Sequence, residues 1–315
     1  MRDLGDGVHR VTQPLPWALD HVHCYAVDDA EGWTLIDCGL GTPGTGRRWQ
    51  EALALLGHPR VRRMVITHYH PDHIGASTRL AEITGAEEIV QGRVDRELTV
   101  RTWLDRDAGD RFERWMLEHG MPREDAARSA EEEDELPIAP VEPTRLVDEG
   151  DTLDLAGEPF EVLLLPGHAD GHIALLGQHS GRLFGGDVLL DEITPNVGRW
   201  EDNEPDPLGR YLETLARIET LAPAIVYPGH RGIIERPAAR ALEIAVHHAL
   251  RLDEHERALR AGARNAYEVV QHVWGGKLGF HEQRFALAEA VAHLERLERT
   301  GRAAQDEPNR WRPAA

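Results

Sequence analysis

Hydrophobic residues recur along this chain with two periods, and the alternation between the periods marks out its elements. Short β-branched and apolar runs at residues 22–27, 33–36, 61–67 and 160–165 read as strands closed by turn residues. Residues 8–38 therefore read as a β-meander whose turn is Asp28 to Gly32. Between the strands the apolar spacing changes to three and four. That period predicts helices over 45–56 and 74–83. Residues 93–135 break the alternation of strand and helix. Phe112, Trp115, Met116 and His119 fall at helical spacing there, and Gly120 and Pro122 stop the helix. The segment reads as an insertion of two or three helices. Its aromatic stripe is read mainly as a packing face, and the acidic run Glu131 to Glu135 as a solvated one. Beyond Arg236 the pattern becomes wholly helical. A long amphipathic helix is expected over 238–262, and a short one over 265–274 behind the cap residue Asn265. A third is expected over 284–299, with Leu287, Ala290, Val291, Leu294 and Leu297 on one face, and then a short hairpin over 301–312. This gives two domains, residues 1–236 and 237–315.

The strand at 61–67 ends in His68-Tyr69-His70-Pro71-Asp72-His73, three imidazoles and a carboxylate in six residues. Pro71 suits the first turn of the helix that follows. The cluster therefore lies on a turn at the C-terminal end of a strand, where open α/β sheets bind ligands. His68 and His70 can point to one side, while Asp72 and His73 turn toward a second position. That is a ligand supply for two neighbouring metal ions. Three later strand ends repeat the form. The strand at 160–165 runs into Pro166-Gly167-His168, that at 182–184 into Gly185-Gly186-Asp187, and that at 224–227 into Pro228-Gly229-His230. The glycines let the backbone turn close to whatever is bound. Asp37 ends the strand at 33–36. It either orients a ligating imidazole from behind or caps a turn. Asp170 and His172 fit less clearly, and His172 has three readings: behind the ligands, facing substrate, or structural.

Composition narrows the function. The 315 residues carry Lys+Arg 35 against Asp+Glu 55, a net charge of −20, which disfavours a nucleic-acid or membrane-surface binder. The two cysteines, Cys24 and Cys38, make no disulfide framework, and the N-terminus has no apolar signal core. A cytoplasmic protein is expected.

The order His-x-His-x-Asp-His, then His168, Asp187 and His230, resembles the metallo-β-lactamase superfamily over about residues 8–235. The resemblance implies an αββα sandwich with two metals at one edge. His68, His70 and His168 would bind one ion, and Asp72, His73 and His230 the other, with Asp187 bridging. Asp37 matches the family's strand-end aspartate. The bridging carboxylate, where the lactamases carry cysteine, points toward the branch of glyoxalase II, lactonases and nucleases. The tail resembles the winged-helix-type domain of one subgroup. His23 departs from that subgroup, where asparagine is expected.

Three functions follow. The first is a dinuclear zinc hydrolase of small carboxylic esters or thioesters acting through a hydroxide bridging the two ions, with Asp72 shuttling the proton. Iron or manganese can take the same ligands, although imidazole-rich ligation favours zinc. The second is a metal-dependent endoribonuclease, and the third a metal-sensing DNA-binding regulator. Residues 250–315 hold eleven Lys/Arg against ten Asp/Glu, too balanced for a phosphate-binding face. The tail is therefore expected to serve in packing or homodimerisation, and the partner to be a small-molecule substrate.

Overall fold

The computed structural model describes residues 1–314. Its strands form two sheets and a terminal pair. The first sheet takes β1 (Arg2–Asp3), β2 (Val8–Pro14), β3 (His21–Val27), β4 (Trp33–Ile36), β5 (Val61–Ile66), β6 (Glu88–Gly92) and β7 (Arg145–Val147) in that spatial order. It is antiparallel as far as β4 and parallel from β4 to β7. The second contains β8 (Thr152–Leu155), β9 (Glu158–Leu164), β10 (Ile173–Gly177), β11 (Arg182–Gly186) and β12 (Ile225–Pro228), ordered β12-β11-β10-β9-β8. β13 (Ala303–Glu307) and β14 (Arg310–Pro313) pair at the C-terminus.

Successive side chains of a strand point to opposite faces, and here both faces of both sheets are covered. Ile36, Val65 and Val90 point inward and meet Phe160, Val162, Leu175 and Phe184 between the sheets. Their neighbours Leu35, Met64 and Ile66 point outward, onto Trp49, Ala52 and Leu53 of α1 (Pro43–Leu55) and Leu80 of α3 (Ser77–Thr84). On the other side, Leu163, Ala174 and Leu183 of the second sheet pack under α7 (Pro207–Leu221). The result is the four-layered sandwich expected.

The helix expected over 74–83 is interrupted. One turn, α2 (Pro71–Ile74), follows the histidine cluster, and α3 restarts at Ser77. At the break the Ala76 amide leaves the helical ladder and donates to the Gly39 carbonyl at 2.8 Å, while the Gly75 carbonyl accepts the Ala139 amide at 3.0 Å. The insertion consists of α4 (Arg93–Thr99), continued by a π-helical turn at Val100–Leu104, then α5 (Ala108–Glu118) and α6 (Arg123–Asp134). The acidic run does not form a wholly solvated face. Glu133 pairs with Arg284 at 2.8 Å, and Glu132 lies 3.8 Å from His281.

The tail comprises α8 (Pro237–Arg260), α9 (Ala266–Trp274) and α10 (Phe280–Arg299). The Asn265 side chain caps α9 as expected. α10 starts four residues before the expected 284 because the Glu282 carboxylate accepts the Gly279 amide at 2.7 Å. α10 also buries more than one face, since Ala286, Ala288 and Ala292 are covered along with Leu287, Ala290, Val291 and Leu294. Phe112, Trp115 and Met116 of the insertion, Tyr211 and Leu215 of α7, and Ile244, Leu287 and Leu294 of the tail share one apolar core. No helix among the described residues is long and apolar enough to cross a membrane.

Candidate metal centre

The ends of β4, β5, β11 and β12 meet at one edge of the sandwich, together with the loop after β9. This junction collects all seven expected ligands. Three groups of ligand atoms each lie within 4.8 Å of one another: His68, His70 and His168; Asp72, His73 and His230; and His68, His73 and Asp187. His70 Nδ1 lies 3.0 Å from His68 Nε2 and 2.9 Å from His168 Nε2. His230 Nε2 is 3.3 Å from Asp72 Oδ2 and 3.1 Å from Asp187 Oδ2. Asp187 stands between the groups, with Oδ1 3.4 Å from His73 Nε2 and Oδ2 3.6 Å from His168 Nε2.

Oxygen atoms behind the rings fix which nitrogen faces inward. His73 Nδ1 donates to Asp37 Oδ2 at 2.8 Å, His168 Nδ1 to the Asn196 carbonyl at 2.7 Å, and His230 Nδ1 to the His21 carbonyl at 2.6 Å. Each bond leaves the Nε2 lone pair directed at the centre. Asp37 is held in turn. Its Oδ1 accepts the Thr67 amide at 2.9 Å and its Oδ2 the Thr67 hydroxyl at 2.9 Å. Asp37 sits at φ 58, an uncommon conformation for a non-glycine residue. Of its two readings, the orienting one matches these bonds.

Electrostatics divides the ligands. Burial, reinforced by neighbouring imidazoles, lowers the pKa of His68 and His70. Burial also lowers His168, so all three are neutral donors. Burial opposes a charge on His230 too, yet Asp187 and Asp72 overrule it and raise its pKa to about 10. The same contest raises His73, through Asp187, Asp37 and Asp72. This pocket of carboxylates demands a positive partner. His73 Nε2, His230 Nε2 and Asp187 Oδ1 are buried without a hydrogen bond. Orphaned atoms of this kind, converging from imidazole and carboxylate, fit divalent ions.

Two glycines permit the approach. A Cβ on Gly229 would lie 2.2 Å from Asp187 Oδ1 and 2.7 Å from His73 Cε1. One on Gly186, at φ +48, would lie 2.7 Å from His172 Nε2 and 2.8 Å from Thr67 Oγ1. His172 is no ligand here. Its Nε2 accepts the Asp187 amide at 3.1 Å, its ring stacks on His68, and burial lowers its pKa to about 3. It lies behind the ligands, against the Asp187 backbone and the His68 ring. Asp170 belongs to none of the three ligand groups, accepting from Arg210 at 2.7 Å and from the Glu204 amide at 2.7 Å. His23, the departure from the subgroup, braces the His230 loop by donating Nε2–H to the Arg231 carbonyl at 3.0 Å.

A cavity of about 510 Å³ opens onto the centre. His70, Asp72, His168, Asp187 and His230 form its floor, and Trp17, Tyr69, Trp103, Phe112, Trp200 and Phe285 supply its aromatic walls. Sequence reasoning assigned none of this lining to the tail, yet His281, Glu282, Arg284 and Phe285 at the start of α10 contribute to it. Thr67, adjoining the cluster, was visible in the sequence. Asn196 acts through its backbone carbonyl and left no side-chain signal.

Residues 17–230 match the family described as the metallo-beta-lactamase superfamily, and residues 252–312 match its metallo-beta-lactamase-like C-terminal domain. The second match assigns the tail to that domain; a winged-helix kinship is not what it describes. The chain is 28% identical to the probable metallo-hydrolase YqjP of Bacillus subtilis, over 93% of this chain and 92% of that one. It is 28% identical to the acyl-coenzyme A thioesterase MBLAC2 of Gallus gallus, over 60% of this chain and 65% of that one. Among solved structures, a metallo-beta-lactamase family protein from Thermus thermophilus superposes with TM-score 0.86 at 32% identity, covering 99% of this chain and 100% of that one. TTHA1623, solved in a di-iron-bound form, superposes with TM-score 0.50 at 28% identity, covering 74% of this chain and 98% of that one.

Proposed function

We propose that this chain, which belongs to the metallo-beta-lactamase superfamily, hydrolyses carboxylic esters or thioesters at a two-metal centre. The observation that carries the reading is the placement of Asp187 between two histidine-rich groups, on the floor of a 510 Å³ cavity walled by aromatic rings. His68, His70 and His168 would hold one ion, Asp72, His73 and His230 the other, and Asp187 both. Two bound divalent ions supply Lewis acidity for the acyl oxygen and bring a water's pKa toward neutrality. Zinc suits this ligand set, and iron accepts imidazole and carboxylate donors as well. The similar TTHA1623 was solved with two irons bound.

The chain's own residues do the rest. Asp37 and Thr67 hold His73 rigid, as the carbonyls of Asn196 and His21 hold His168 and His230. Asp72 lies on both the ligand ring and the cavity lining. Its carboxylate would take a proton from the attacking water and pass it to the leaving oxygen or sulfur. Trp17, Trp103 and Phe112 on the cavity walls would pack the acyl or leaving group and reduce the water around it.

Two observations favour esters over phosphodiesters. The cavity lining outside the floor includes Asp105, Glu133, Asp134, Glu201, Asp202 and Glu282 against only Arg106 and Arg284. A polyanionic strand finds no cationic track there. α10 is buried on several sides, which leaves it poorly suited to enter a nucleic-acid groove and weighs against the regulator reading too. The likeness to a protein named an acyl-coenzyme A thioesterase supports the acyl side. The test is a panel of thioesters, lactones, phosphodiesters and single-stranded RNA, assayed with metal-loaded protein. Hydrolysis of acyl substrates alone supports the reading, and cleavage of RNA at comparable rates overturns it.

A further inference from the structure

One wall of the cavity carries chemistry that ester hydrolysis at the floor does not use. Where α6 of the insertion meets the start of α10, Arg284 enters the lining with 2% of its surface exposed. Its Nη1 forms an ion pair with Glu133 Oε2 at 2.8 Å and donates to the Ser129 carbonyl at 3.3 Å. The Phe285 ring supports the guanidinium from 5.1 Å. A guanidinium has five N–H groups in a rigid fork. Among the described residues, only Nη1 of Arg284 finds partners. Nε and Nη2 make no hydrogen bond with the described residues and are not sealed from solvent, so on this otherwise buried side chain they stay open to an acceptor in the cavity. The nature of the acceptor follows from the surroundings. Glu133 cancels the charge of Arg284, and Asp134, next to Glu133, and Glu282, two residues before Arg284, line the cavity as well. This wall offers hydrogen bonds while repelling anions.

We infer that Arg284, held by Glu133, is a specificity-determining residue that donates hydrogen bonds to an uncharged oxygen on the substrate's acyl or leaving group. The word substrate rests on the hydrolase reading above; the binding itself does not. With the aromatic walls, the substrate class becomes a bulky, largely apolar ester or thioester bearing a ketone, amide or hydroxyl oxygen remote from the scissile bond. Leaving groups with several negative charges fit this wall poorly.

The test uses the full metal-loaded chain at pH 8 and three esters with the same scissile bond. Their tails end in an alkyl group, a methyl ketone or a carboxylate. The expected order of KM is ketone below alkyl below carboxylate, with about tenfold between the first two, the worth of one hydrogen bond to a charged donor. In Arg284→Met the ketone ester loses its advantage over the alkyl ester. In Glu133→Gln, which is nearly isosteric and uncovers the guanidinium charge, the carboxylate ester becomes the preferred one. This second variant keeps the idea falsifiable should Arg284→Met fail to fold. A ketone preference that survives Arg284→Met, or an order unchanged in Glu133→Gln, overturns the assignment. Titration calorimetry with the three tails on non-hydrolysable ethers separates the two claims. Ethers that bind in the expected order while no ester is hydrolysed would keep Arg284 and remove the hydrolase reading. Esters that are hydrolysed without that order would do the reverse.

Discussion

Gly229→Ala is a one-methyl perturbation with a large expected effect. Gly229 does not sit in the left-handed region, so alanine is free to adopt its backbone angles. Only the contact is at issue. The new Cβ would start 2.2 Å from Asp187 Oδ1 and 2.7 Å from His73 Cε1. Ordinary contact is about 3.5 Å, so one side must yield by roughly 1 Å. The loop cannot yield, because its amide donates to the Gly186 carbonyl at 2.7 Å and its carbonyl accepts the His23 amide at 2.6 Å. The shift therefore falls on Asp187, proposed to hold both ions, and on His73, proposed to hold one. A 1 Å displacement of a catalytic constellation costs on the order of 100-fold in rate. The assay is metal content by elemental analysis, kcat/KM on the best substrate of the panel, and thermal unfolding of the metal-free protein. The expected result is a loss of one or both ions and about a 100-fold fall in kcat/KM, with metal-free unfolding within a few degrees of the parent. Full metal content and parental activity in Gly229→Ala would refute the reasoning, since the ligands would then not be held as tightly as the structure places them.

Three further outcomes are expected. Asp37→Asn keeps the shape and tolerates the left-handed angle, but turns an amide toward His73 Nδ1 and moves the ring proton to the ligating Nε2; metal affinity, read by competition with a chelator, should fall about 10- to 100-fold. Glu158 is opposed by burial but held down to a pKa of about 2 by Ser180, Arg182 and the His179 amide. Because its folded pKa is depressed, its stabilisation is complete above the unfolded value of 4.5 and is lost as pH falls toward 2. In urea unfolding, the advantage of the parent over Glu158→Gln should narrow by about 1.4 kcal/mol between pH 7.5 and pH 3.5. Trp17, stacked on His281 with centroids 5.6 Å apart, lines the cavity; Trp17→Ala should raise KM for bulky esters several-fold over small ones, and equal changes for both would deny it a binding role.

The parts of this molecule legible in its sequence are those where local chemistry and local geometry coincide. The cluster at 68–73 announces itself because its residue types have few other uses at that spacing, and the three later strand ends, each closed by glycine, carry the same message. Strand faces were readable wherever apolar residues alternate with turns. What stayed hidden depends on contacts between distant segments. Nothing local distinguishes Glu133 from its acidic neighbours, yet it is the one that meets Arg284, 151 positions later in the sequence. The break after Gly75 follows from the Ala76 amide turning to the Gly39 carbonyl in the loop after β4, not from helix propensity. The closure of the cavity by α10 required knowing that the insertion and the tail share one core, which amphipathic period alone cannot reveal.

The claim on which the rest depends is that seven side chains hold two ions through a shared Asp187. The direct measurement is the number of zinc equivalents retained per chain after metal-free protein is reloaded and gel-filtered, for the parent and for Asp187→Ala. The account predicts two for the parent and fewer than one for the variant. A parent that saturates at one, or a variant that still retains two, would contradict it.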